Sequence, residues 1–131
     1  MSEPVREYYD NGQLYCEIYI VNGNRHREDG PAYNRWYETG QREYEVYYVN
    51  GVHHREDGPA FIEWHDNGQI RRQEYFVDGN IHRENGPAIT EWDENRNIIR
   101  QDFWLRGEIV TVYDVFDEKG AFAWVMAHYG Q

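Results

Sequence analysis

His54-Arg55-Glu56-Asp57-Gly58-Pro59-Ala60 is the stretch that decides how this chain folds. The same heptapeptide stands at His26 to Ala32, and again at His82 to Ala88 with Asn85 in place of the aspartate. The step between copies is 28 residues. Glycines keep the same step, as Gly23, Gly51, Gly79 and Gly107 in one series and Gly30, Gly58 and Gly86 in another. Self-similarity at such a period marks a repeat architecture, in which each unit buries its apolar surface only by stacking on its neighbours.

Working outward, each alanine is followed four residues later by a tryptophan: Trp36, Trp64 and Trp92. A turn comes next, at Thr39-Gly40 and Asn67-Gly68, with Asn11-Gly12 one period earlier and Asn95-Arg96 one period later, where the glycine is gone. Pro59 to Trp64 leads into the Asp66-Asn67-Gly68 turn, and Gln69 to Val77 leads out of it toward Asp78-Gly79. Asn-Gly and Asp-Gly supply the positive φ that tight hairpins require, so each unit reads as a β-hairpin. Pro31, Pro59 and Pro87 open strands, where the missing N–H costs no ladder bond. Gly58 is expected to hold a positive φ in its loop.

The outgoing strands align in columns. Tyr19, Tyr47, Tyr75 and Phe103 form one, and Val21, Val49, Val77 and Leu105 another on the same face, while Ile20, Tyr48, Phe76 and Trp104 point the opposite way. Glycine or proline interrupts nearly every window that could hold a helix, and Ala121 to His128 is the only candidate. The expected fold is all-β: a single-layer twisted antiparallel meander of stacked β-hairpin repeats with little or no helix. Equivalent residues of successive units stand about 9.6 Å apart, two strand spacings. The chain, 1–131, reads as one repeat domain: an N-terminal half-repeat over 1–22, repeats over 23–50, 51–78 and 79–106, and a C-terminal capping repeat over 107–131. There Gly107 reaches the aromatic column at Phe116 without the long loop, and Ala121 to Tyr129 is the closing strand.

Composition narrows the functions. Thirteen Lys and Arg against 24 Asp and Glu leave a formal charge of −11, while 5 Trp, 12 Tyr and 5 Phe give the chain far more apolar surface than a disordered acidic tail. That charge repels phosphate backbones and anionic head groups, so direct nucleic-acid binding and membrane binding are not expected. No run is apolar for the roughly 20 residues a membrane helix needs. One cysteine, Cys16, and a charged N-terminal segment point to a reducing, cytoplasmic setting.

The heptapeptide loops carry the chemically interesting side chains: His26, Arg27 and Glu28; His54, Arg55, Glu56 and Asp57; His82, Arg83 and Glu84. Zinc ligands lie about 2.0–2.1 Å from the ion, so histidines about 9.6 Å apart cannot share one. The loops read as structural staples, with acids accepting backbone N–H groups and Arg and His reaching carboxylates of adjacent loops. His53 and His54 are neighbours on a strand and face opposite ways. No nucleophile elbow, phosphate loop or metalloprotease motif is present. No catalytic residue, metal or cofactor is assigned. The candidate partner-binding residues are the aromatics Trp36, Trp64, Trp92, Tyr48, Phe76 and Trp104, bordered by acids that suit a basic partner.

Gly-Pro-Ala, an aromatic, Asn-Gly, a Tyr-rich strand and a second Asn-Gly or Asp-Gly together resemble the MORN-repeat variant over about residues 8 to 107. The unit is longer than the common one because the loop after Asn50-Gly51 carries the His-Arg-Glu-Asp insert. Such extended units are similar to those of giant-virus, phage and bacterial proteins, and a related variant builds bacterial antitoxins. The resemblance implies single-layer sheets of stacked hairpins and a binding or scaffold role, without a reaction. Two functions follow: a non-enzymatic protein–protein interaction module presenting an aromatic strip with an acidic rim, or an acidic inhibitor, antitoxin, immunity or phage anti-defence in type, that blocks a basic site on an enzyme. Edge-strand pairing into a homo-oligomer is a third option, since the sheet has open ends.

Overall fold

A computed structural model describes residues 3–110. The turns explain the strands. Asn22-Gly23, Asn50-Gly51, Asp78-Gly79 and Arg106-Gly107 all place both residues in the left-handed region, φ 51° followed by 82–84°, the two-residue geometry that matches strand twist. Between turns lie β1 (Val5–Tyr8), β2 (Leu14–Ile18), β3 (Ile20–Val21), β4 (Asn24–Arg25), β5 (Tyr33–Trp36), β6 (Arg42–Val46), β7 (Tyr48–Val49) and β8 (Val52–His53). The pattern continues as β9 (Phe61–Trp64), β10 (Ile70–Glu74), β11 (Phe76–Val77), β12 (Asn80–Ile81), β13 (Ile89–Trp92), β14 (Ile98–Leu105) and β15 (Glu108–Val110). There is no helix among the described residues. Phe116 and the Ala121 to Tyr129 segment lie outside them.

Nine strands form one open antiparallel sheet in the order β1-β2-β5-β6-β9-β10-β13-β14-β15. The all-β hairpin meander expected from the repeat is therefore the fold. Its outgoing strands differ from expectation. Gln69 to Val77 is not one strand, because the chain leaves the sheet at Tyr75, as it does at Tyr19 and Tyr47, and the next residues fold into small hairpins β3–β4, β7–β8 and β11–β12. The cause is a fork in the hydrogen bonding. Tyr47 donates its N–H to Ala60 O at 2.7 Å while its carbonyl accepts from His54 N at 3.1 Å. The whole Arg55–Pro59 loop thus leaves between two partners of one residue, and no ladder can continue past it. In β14, Phe103 pairs directly with Val110 and the strand runs unbroken.

The small hairpins stack on one another through backbone bonds at the repeat step, Arg27 N to Tyr48 O (3.1 Å) and Gly51 N to Arg25 O (2.9 Å), with the same pair recurring at Arg55/Phe76 and Gly79/His53. The core is thin. Ala32, Ala60 and Ala88 are wholly buried, joined by Cys16, Val46, Ile62, Ile89 and Leu105. One row across the sheet pairs Arg35 with Tyr44, Tyr44 with Glu63, Glu63 with Arg72, Arg72 with Glu91 and Glu91 with Arg100. Opposite charges alternate over its second half, a favourable cross-strand arrangement.

Candidate interaction surface and loop rail

The histidines of the three loops are staples between repeats, by a route the sequence did not suggest. His26 Nδ1 accepts the N–H of Asn50, His54 Nδ1 that of Asp78, and His82 Nδ1 that of Arg106, each at 2.9 Å. The amides belong to left-handed residues at the tips of the next small hairpins, where the backbone has no ladder partner. The other ring nitrogen, Nε2, faces Glu28, Glu56 and Glu84 at 3.8, 3.7 and 3.6 Å.

The arginines correct the sequence reading. Arg27 and Arg55 do not reach carboxylates of adjacent loops; they bond Asp29 and Asp57 two residues on in their own loops, at 2.8 and 3.0 Å. Their guanidinium NH1 groups donate to Pro31 O and Pro59 O, as Arg83 does to Pro87 O. The guanidinium planes lie over Tyr19, Tyr47 and Tyr75 at 4.2, 4.1 and 4.0 Å from the ring centres. A short tether, a proline carbonyl and an aromatic face fix each head locally. The side-chain hydrogen bond from Arg27, and likewise that from Arg55, holds the Asp29 and Asp57 carboxyls below their ordinary range. In unit three Asn85 replaces the acid, and Arg83 lacks that partner.

Gly58 is glycine for a different reason from the one expected. Its φ is not positive. A Cβ there would stand 2.8 Å from Arg55 Cζ, and Gly30 and Gly86 meet Arg27 and Arg83 as closely. Gly58→Ala is therefore expected to cost about 1 kcal/mol in urea unfolding by displacing the guanidinium, and to be nearly neutral in an Arg55→Ala background. Equal costs in both backgrounds would show that the arginine is not the obstacle.

At the opposite end of each hairpin the tryptophan carbonyls are anchors. Tyr9 Oη donates to Trp36 O at 2.7 Å and Tyr37 Oη to Trp64 O at 2.6 Å, while His65 Nε2 meets Trp92 O at 3.0 Å. These side chains form a column at a 28-residue step, Tyr9, Tyr37 and His65. The three Trp rings are half-buried, and Arg42 lies over Trp36 at 5.2 Å. Trp92 shares an open cleft of about 420 Å³ with Glu91, Asp93 and Glu94. Hydrogen bonds from the Asn97 backbone and side chain keep Asp93 below the usual carboxylate range.

Tyr48, Phe76 and Trp104 lie on the small-hairpin side. Cross-strand pairing sets Tyr48 beside His53, Phe76 beside Ile81 and Trp104 beside Ile109. His53, absent from the partner-binding set expected from sequence, stands between Tyr48 and Phe76, 4.7 Å from each ring. Burial, followed by the charge of Arg25, depresses its pKa. The unfolded chain then takes up a proton below pH about 6.5 that the folded one resists, so stability falls with acidification in that window. His53→Phe is expected to flatten the loss of melting temperature between pH 7.5 and 5; an unchanged slope would contradict this.

Cys16 is buried, its thiol pushed up by that burial, and sits 3.9 Å from Glu7 Oε2. Among the described residues no three His, Cys, Asp or Glu side chains gather where one metal ion could be held.

A stacked hairpin sheet with this internal spacing has a counterpart among known families. The MORN repeat variant matches residues 4–22, 32–50 and 60–78. Residues 4–78 of the chain carry three consecutive repeats of this family. Successive matches start 28 residues apart, at 4, 32 and 60, and each MORN repeat ends at the Asn or Asp of a small-hairpin turn. Residues 23–31 and 51–59, between matches, carry β4 and β8 and the heptapeptide loops. MORN repeats are commonly protein-interaction or membrane-binding modules and are generally non-enzymatic. No curated protein and no solved structure matches the chain. Among the described residues no helix is long and apolar enough to cross a membrane.

Proposed function

We propose that this chain is a non-enzymatic protein-binding module whose half-exposed aromatics, with acids at their border, meet a partner of basic surface. The observation that carries the reading is the Trp92 cleft, where Trp92 borders one opening with three acids, Glu91, Asp93 and Glu94, against one arginine, Arg71. An aromatic anchor with a charged rim is the usual anatomy of a binding hot spot. Trp36 and Trp64 occupy the equivalent strand position in the preceding repeats, which gives a partner up to three related anchor points. The cytoplasm is the setting proposed for this binding.

The test is affinity capture from the native host with wild-type chain and with Trp92→Ala, both checked for cooperative melting. Wild type is expected to retain a basic protein that elutes with salt, and Trp92→Ala to lose at least tenfold of it. Equal capture would overturn the role of the aromatics. The −11 charge favours a second reading, an acidic inhibitor occupying a basic or nucleic-acid-binding site of an enzyme. For that reading the association rate with the captured enzyme falls steeply as ionic strength rises, and enzyme activity is lost on binding.

A further inference from the structure

Three clefts run along the edge where the heptapeptide loops stack, the first walled by one loop and the other two each lying between two loops. Tyr19 and Val21 lie in the first, beside loop one. Tyr47 and Val49 lie in the second, about 600 Å³, between loops one and two. Tyr75 and Val77 lie in the third, about 630 Å³, between loops two and three. Each floor is thus a tyrosine and a valine, and each wall is the loop of one repeat. The small hairpins are bonded to one another at every step, so the row is built into the backbone.

The charge on the walls is not balanced. Arg27 and Arg55 are occupied by Asp29 and Asp57. Glu28 and Glu56 are more than four-fifths exposed, and the nearest base to each is a histidine, at 3.8 and 3.7 Å, whose Nδ1 is engaged by a backbone amide. These two carboxylates face the clefts with no arginine or lysine pairing them in any described ion pair.

We propose that the cleft row holds an extended basic segment of a protein partner, with Lys or Arg at every third residue. The proposal rests on the protein-binding reading above and gives it a second, separate surface. Spacing selects the conformation. Clefts repeat at about 9.6 Å, two strand spacings. A polyproline-II segment returns the same face every three residues, at about 9.3 Å. A β-strand returns its face about every 6.6 Å and a helix turn recurs every 5.4 Å, so neither seats a side chain in successive clefts. Arg27, Arg55 and Arg83 cover the tyrosine rings, so the aliphatic stem of each basic residue crosses the valine side of a cleft, and its head lies among the carboxylates. Asn85 removes one acid from the third loop, which concentrates affinity in the clefts walled by loops one and two.

Fluorescence anisotropy with a labelled peptide of four Lys-Pro-Pro units, against a peptide of the same composition with its lysines contiguous, tests this. The period-three peptide is expected to bind at least tenfold more tightly at about 50 mM salt. A Glu28→Gln/Glu56→Gln variant is expected to lose at least tenfold of that affinity with its melting temperature unchanged, since neither acid pairs with an arginine. Equal affinity for the two peptides overturns the spacing argument, and an unaffected variant overturns the site. Failure of both peptides to bind overturns the inference outright. The protein-binding reading is judged separately, by the Trp92-dependent capture.

Discussion

Ala60→Leu is expected to lower stability by about 2–3 kcal/mol, the upper part of the range for overpacking a filled site. Ala60 has no exposed surface, and its backbone is held on both sides: its N–H donates to Glu74 O at 2.9 Å and its carbonyl accepts from Tyr47 N at 2.7 Å. Three added carbons therefore cannot be accommodated by sliding the strand, and the preceding Pro59 carbonyl is itself committed to Arg55. The fork at Tyr47 is where the main sheet and the small hairpins separate, so a shift there propagates to both. In an array whose units touch only their neighbours, damage in a central unit also uncouples the two ends. Urea unfolding followed by tryptophan fluorescence should show a lower midpoint and a broader transition. A wild-type midpoint would show that the alanine column is not tightly packed.

Ile89→Ala is expected to cost about 2–5 kcal/mol, the transfer of three carbons plus the void they leave. Ile89 is 3% exposed and lies in register between Glu74 on β10 and Asp102 on β14. Burial already pushes the Glu74 carboxyl up, opposed by Arg72. Removing the isoleucine opens this side of the sheet to water, which relieves Glu74 and draws the cost toward the lower half of the range. The control is Ile99→Ala: the same chemistry on β14 at 62% exposure, expected within about 0.5 kcal/mol of wild type. Similar losses from both variants, measured by chemical denaturation, would contradict the burial pattern.

Much of the architecture was readable because its signals are local. Asn50-Gly51 specifies a hairpin tip whatever surrounds it, since few other pairs tolerate two positive φ values in succession. The repeated Ala-x-x-x-Trp spacing gave the incoming strands and their common face. The breaks at Tyr19, Tyr47 and Tyr75 were not readable, because alternation continues unaltered through them and only the competing partners, Ala60 and His54 for Tyr47, divide the strand. Gly58 misled for a related reason. A glycine in a loop suggests a backbone requirement, whereas here the requirement is imposed by a guanidinium folded back over the site.

The candidate site divides in the same way. Its residue types, and the fact that they recur at equal intervals, belong to the one-dimensional pattern, as does the excess of negative charge. Which acid each arginine takes was decided by the path of its own loop, whereas which histidine nitrogen receives an amide from the next repeat, and that His53 is inserted between Tyr48 and Phe76, were decided only when separate repeats were stacked. Repeats impose equal spacing on every column, so spacing alone cannot tell a contact within one unit from a contact between two. That distinction comes from the three-dimensional path of the backbone, which sets distances of a few ångströms that no interval in the chain encodes.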